Sequence, residues 1–192
     1  ADVYAFVKNN GGKVAVYKEN LYKPMPGYRF IASNTDRSRY YVGELNGKSS
    51  KQAYMDALHI SESNIINQTF HNPLGKMNGQ DICIISLKEV SGNGLCCYRQ
   101  VNDSDVLVLL EEQDYNEILD ETLQRIRRDF NHISGVFSIN CVFRYLLFSQ
   151  EHHMEDYLKT MSTLGEHAGL IGFGEHYNQQ FVNQTMTCVV FE

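Results

Sequence analysis

Apolar positions recur along this chain with two different periods. Between residues 114 and 131 they return every three to four residues, so that Tyr115, Ile118, Leu119, Leu123, Ile126 and Phe130 share one broad face. That spacing predicts an amphipathic helix. Residues 154–165 repeat it with Tyr157, Leu158, Met161 and Leu164. Elsewhere short β-branched runs alternate with turn residues. Residues 81–90 read as a strand, Ser91-Gly-Asn-Gly94 as a turn, and residues 95–101 as the returning arm of a hairpin. Residues 105–110, 168–173 and 184–191 are further strands, the last two flanking a polar segment over 174–180. Residues 135–148 are apolar almost throughout and read as one long β run.

The earlier part of the chain predicts shorter elements. Residues 3–7 and 13–17 are β-rich around a Gly11-Gly12 turn, and Pro24-Met-Pro26-Gly27 interrupts the chain before residues 29–32. A strand over 39–44 closes at Asn46-Gly47, and Ser49 or Ser50 caps a helix reaching Leu58. A second short helix is expected over 61–70. From Asp81 onward the order is β-β-β-α-β-α-β-β, which predicts an α+β protein whose largely antiparallel or mixed sheet carries packed helices. The one candidate boundary falls at residues 46–50, dividing a β-rich 1–47 from 48–192.

Composition narrows the function classes. Hydrophobic residues at 43% and charged residues at 21% suit a folded core, and no apolar run is long enough to insert into a membrane. The first residues lack the features of a signal peptide, so a cytoplasmic location is expected. Five cysteines, none in a C-x-x-C pair and four of them in apolar runs, read as reduced core residues. A net charge of −6 argues against nucleic acid. The one basic cluster, Arg125, Arg127 and Arg128, ends a helix that begins with acids, which complements its macrodipole.

Candidate chemistry is sparse. Gly43-Glu-Leu-Asn-Gly47-Lys48-Ser49 has three residues between its glycines where a phosphate-binding loop needs four, and Glu44 would repel a phosphate. The histidines show no metal-ligand spacing, so no metal or cofactor is expected. Two segments stand out. Arg144 places a full charge inside the apolar 135–148 run, where an unpaired guanidinium is very costly. Glu175 follows the strand over 168–173, at a position where sheets commonly hold ligands. One reading pairs Arg144 with Glu175 in a structural salt bridge. The other has them line a small-molecule pocket with Asn140, Cys141 and Tyr177. No nucleophile with a positioned base can be assembled from these residues, so no enzymatic activity is expected.

Phe137-Ser-Ile-Asn-Cys141-Val-Phe-Arg144-Tyr-Leu-Leu-Phe148 resembles the "f-s-C-x-x-R-x-x-x-f" strand of FIST domains, and Gly172-Phe-Gly174-Glu175 resembles their "G-f-x-x-G-E" segment. The closing Asn183-Gln-Thr185-Met-Thr-Cys-Val-Val-Phe191 and the upstream Gly43-Glu-Leu-Asn-Gly47-Lys-Ser-Ser-Lys-Gln-Ala-Tyr54 are similar to that family's final strand and joining passage. Phe143 stands where family members often carry glycine, and His176 where an aliphatic residue is common. The resemblance implies the end of an N-terminal FIST region over 1–47 and a C-terminal FIST domain over 48–192, with most of the N-terminal region missing. It further implies a sensory input domain that binds a small ligand, such as an amino acid or a related metabolite, and signals to an attached effector. Two alternatives stay open: an interaction module with no ligand, and a haem-based gas sensor using His176 or His132.

Overall fold

The computed structural model describes residues 6–79 and 81–192. In chain order the strands are β1 (Val14–Asn20), β2 (Tyr22–Asp36), β3 (Tyr41–Leu45), β4 (Lys48–Ser49), β5 (Leu74–Asn78), β6 (Asp81–Ile85) and β7 (Leu87–Ser91). They continue with β8 (Gly94–Cys97), β9 (Val106–Glu112), β10 (Gly135–Cys141), β11 (Glu166–Gly172), β12 (Glu175–Tyr177), β13 (Gln180–Val182) and β14 (Thr185–Phe191). The helices are α1 (Ser50–Leu58), α2 (Ile65–Gln68), α3 (Tyr115–Asp129), α4 (Val142–Gln150) and α5 (Met154–Met161). The class is α+β.

The larger sheet is antiparallel at every pairing and runs in the order β6-β5-β9-β2-β3-β8-β7, with β4 added to β3. Its two outermost strands, β6 and β7, are consecutive in the chain and joined through Ser86 alone. A flat sheet of that order would hold its edges roughly 29 Å apart at about 4.8 Å per strand. The sheet must therefore curl until its edges meet. Its interior is filled by Phe30, Val42, Leu45, Leu74, Ile85 and Leu107, closed by Tyr54 of α1 and Ile65 of α2.

The smaller sheet has the order β1-β14-β10-β11. Its β10 and β11 are parallel, joined by the α4–α5 crossover that parallel strands require, and its other pairs are antiparallel. A second core lies between this small sheet, helices α3 to α5, and the outer face of the curled sheet. It gathers Tyr22, Val108, Leu110, Leu123, Phe148 and Val190. Strand β9 serves both cores, sending Leu107 and Leu109 inward and Val108 and Leu110 outward. Burial on both faces explains its continuous apolar run.

The amphipathic pattern over 114–131 corresponds to α3. Leu119, Leu123 and Ile126 are buried, and the Asp114 carboxylate caps the start by accepting the N–H groups of Asn116 and Glu117. Four expectations need correction. The run over 135–148 is not one strand: β10 ends at Cys141 and α4 follows directly. Its helical period was hidden because Leu146 is apolar on the exposed face, while Arg144, Leu147 and Phe148 form the buried one. The strand over 81–90 divides at Ser86 into β6 and β7. Pro24 and Pro26 do not break the chain; β2 runs through them, with its ladder to β9 shifting register between Pro24 and Arg29. A proline costs little where the ladder is already irregular. The polar segment over 174–180 is no bare connection either, since β12 and β13 form a hairpin there. The strand expected over residues 3–7 lies largely outside the described residues, and β5 was not foreseen.

Candidate ligand site

The site begins with strand alternation at the end of β10, where successive side chains point to opposite faces. Ser138 and Asn140 face the helices, and Cys141 faces the β12–β13 hairpin. Helix α4 starts directly after Cys141, so Arg144 lies in its first turn and is carried into the interior at 1% exposure. The same alternation in β1 turns Tyr17 and Glu19 inward. Arg144 Nη2 donates to Glu19 Oε1, forming an ion pair whose two side chains are each only 1% exposed. The Arg144 guanidinium also lies over the rings of Phe148 and Tyr157, at 4.6 Å and 5.5 Å from their centroids.

The expected pairing of Arg144 with Glu175 does not form, because Glu19 already holds the guanidinium. The pair is incompletely satisfied: Arg144 Nε, Arg144 Nη1 and Glu19 Oε2 are buried and find no hydrogen-bond partner among the described residues. Such groups cost roughly 1–3 kcal/mol each, more when charged.

Glu175 occupies the other face. Thr185 Oγ1 donates to its Oε2 at 3.1 Å, while Oε1 has no partner among the described residues. Burial pushes its carboxyl up to about 7, opposed by the Thr185 hydrogen bond, by the nearby Cys141 thiol and Gly174 backbone, and by the charge of Arg144. Burial also raises the Cys141 thiol, and Glu175 adds to that, against backbone amides of Gln184, Phe143 and Arg144. A buried thiol of this kind is a poor nucleophile at neutral pH.

On the helix-facing side a cleft of about 260 Å³ opens between β10–β11 and α4–α5, lined by Tyr145, Met154, Leu158, Leu170 and Ile171 above a polar floor of Ser138, Asn140, Tyr157 and His167. The floor is one connected chain. Asn140 Nδ2 donates to the Tyr157 hydroxyl at 2.9 Å, that hydroxyl reaches Ser138 Oγ at 3.4 Å, and Ser138 Oγ lies 2.9 Å from His167 Nε2. Burial lowers the His167 pKa, so its ring is neutral near pH 7. Asn140 is 7% exposed, and its side-chain carbonyl oxygen is buried with no partner among the described residues.

The structure thus separates the residues that the sequence grouped. Asn140 and Arg144 share the helix-facing side and are linked through Tyr157. Cys141 and Glu175 meet beneath the hairpin. Tyr177 stands apart on β12, its ring under the Lys18 ammonium at 5.5 Å. Sequence reasoning missed Glu19, Ser138, Tyr157 and His167. For Glu19 a signal existed, because Ala15, Tyr17 and Glu19 alternate in a strand; its partner lies 125 residues away, so nothing local named it. Neither haem candidate fits a macrocycle. His132 is exposed after α3, and His176 is exposed with its ring against Phe181, at the rim of a depression of only about 210 Å³. Among the described residues, no three or more His, Cys, Asp or Glu side chains gather in a metal-binding group, and no helix is long and apolar enough to cross a membrane.

A curled antiparallel sheet joined to a small mixed sheet, with a buried ion pair beside an uncharged cleft, defines a protein with a built pocket. The FIST C domain family matches residues 51–178, and the chain belongs to that family, which is associated with sensory signal transduction. The matched segment contains Asn140, Cys141, Arg144, Glu175 and Tyr177, whereas Glu19 and Thr185 lie outside it. No curated protein and no solved structure matches the chain.

Proposed function

We propose that this chain is the ligand-reading part of a sensory input domain, and that a small molecule binds in the cleft between β10–β11 and α4–α5. The observation that carries this reading is the Asn140 carbonyl oxygen, buried in the cleft floor without a partner among the described residues. A buried acceptor left open is costly, and a ligand that donates to it recovers that cost. Tyr157 gives binding a route outward: its hydroxyl receives the Asn140 N–H and its ring lies beside Arg144. Occupancy of the cleft bears in this way on the ion pair that fastens β1 to α4, and through it on an attached effector.

An amino acid or a related metabolite is the ligand class that family membership suggests. Its carboxylate would have to reach Arg144 Nε or Nη1, both buried and left without a partner among the described residues when Nη2 holds Glu19. The chain acts by binding and not by catalysis, a reading supported by the raised thiol pKa of buried Cys141. All five cysteines are free, which favours a reducing compartment such as the cytoplasm.

The test is a thermal-shift screen of amino acids and small neutral metabolites, repeated on Leu158→Trp. Leu158 lines the cleft and is 47% exposed, so a larger side chain obstructs the cleft without entering the core. Ligands that raise Tm in the parent chain should lose their effect in the variant. A hit that survives obstruction places binding elsewhere and removes this reading.

A further inference from the structure

We propose that the ligand of this cleft is a neutral, largely apolar molecule bearing one N–H or O–H donor, and not a zwitterion or an anion. The inference rests on the ligand-binding reading above and specifies its chemistry. The lining carries no Asp, Glu, Lys or Arg side chain. Its one titratable base, His167, has one ring nitrogen, Nε2, engaged with Ser138. The buried charges beside it, Arg144 and Glu19, are paired with one another, with the Arg144 guanidinium over the Tyr157 ring. A carboxylate or ammonium entering this cleft would shed water with no opposite charge in the lining to receive it, which disfavours either ion.

The apolar part of the ligand has its counterpart in Met154, Leu158, Leu170 and Ile171. Two of these, Leu170 and Ile171, are 49% and 45% exposed, and both belong to an edge strand of the small sheet. Polar demand is narrow by comparison. One N–H of the Asn140 amide is held by Tyr157, and the polar atom of that side chain with no partner at all among the described residues is its oxygen, an acceptor. A donor on the ligand is what this oxygen selects. The volume of about 260 Å³ sits just below the usual range of small-molecule sites, which limits the ligand to about one or two rings.

Indole, phenol and benzamide are the neutral probes, 1-methylindole is the donor-free control, and tryptophan is the zwitterionic control, all titrated by calorimetry against the full chain. The chain contains no tryptophan, so the emission anisotropy of bound indole gives a second readout over a tyrosine background. At least one neutral probe should bind. Indole should bind about tenfold more tightly than 1-methylindole, the worth of a hydrogen bond to an otherwise open buried acceptor, and at least tenfold more tightly than tryptophan. Asn140→Leu should erase the difference between indole and its methylated form. The comparison of the two probes on unaltered protein stands even if that variant folds poorly. Equal binding of indole and 1-methylindole overturns the donor requirement. Tryptophan binding as tightly as indole, or failure of all the neutral probes while amino acids bind, overturns the neutral-ligand inference and leaves the ligand-binding reading intact. Failure of these probes and of the wider screen removes both.

Discussion

The two halves of this molecule treat buried polarity in opposite ways. In the curled sheet the buried polar groups are few and satisfied. The Ser50 hydroxyl donates to Val42 O at 2.6 Å, Thr69 Oγ1 accepts from Leu87 N at 2.8 Å, and Ser86 Oγ accepts from Gln184 at 2.6 Å. In the small-sheet half, Glu19, Asn140, Arg144, His153 and Glu175 are all buried with at least one polar atom lacking a partner among the described residues, and so is Gln184 where its side chain meets Thr69 and Ser86 of the curled-sheet half. A protein that can close one core cleanly has no physical need to leave another open. The contrast fits the proposed ligand-binding role of the second half, with the first as its scaffold, because incompletely satisfied buried groups are what a binding event can still satisfy.

The most forceful way to break that contrast is to attack the ion pair. Arg144→Met leaves the Glu19 carboxylate buried without its partner and should cost about 3–5 kcal/mol in urea denaturation. Adding Glu19→Leu should restore most of that loss, because a buried pair exchanged for apolar side chains is commonly close to neutral. If the double variant is no better than the single, the two residues are not coupled, and the small-sheet half is merely fragile.

The second effect depends on pH. Glu175 titrates at about 7 in the folded protein against its ordinary 4.5. The folded state thus holds its proton more tightly than the unfolded chain does. Its contribution is complete below about pH 4.5 and is lost as pH rises through about 7. The shift corresponds to on the order of 3 kcal/mol. Glu175→Gln keeps the shape and removes the titration. The variant should be the more stable protein at pH 8 and should flatten the stability profile between pH 5 and 7.5. An unchanged profile would show that Glu175 is not the titrating group.

The smallest effect belongs to the scaffold and sharpens the comparison. Ser49 caps α1 by accepting from Gln52 N, and Ser49→Ala should cost about 1 kcal/mol, as ordinary cap losses do. In calorimetric titration, binding of whichever probe the cleft accepts should be unchanged in Ser49→Ala. A change there would mean that the two halves are not functionally separate.

How much of this was legible depended on range. Helix α3 was readable because one face is apolar and the other charged, and the α1 cap and the Asn46-Gly47 turn were readable because they are local. Both turn residues do adopt positive φ. Helix α4 was not, because a helix apolar on both its buried and exposed faces carries the same composition as a buried strand. At the site, the burial of Arg144 could be argued from its apolar neighbours. Its partner could not, because Glu19 is brought in by β1, and β1 is placed by β14 rather than by anything near it in the chain. Asn140 was legible as a polar residue in an apolar run, whereas the meeting of Ser138, Tyr157 and His167 needed the β10–α4–α5–β11 crossover to be known first.

The pairing of β1 with β14 also sets an order of events. Val14 lies opposite Phe191 and Asn20 opposite Thr185, so this ladder closes a loop that spans most of the chain. Loops of that length are slow to find their register, and contacts of high sequence separation dominate folding time. The hairpins of the curled sheet can assemble from near neighbours well before this. On that order, Arg144 is expected to stay without its counter-charge, and to keep its water, until β1 pairs. The interior of the small-sheet half is closed by the same strand that delivers Glu19, which couples neutralisation of the arginine to completion of this sheet.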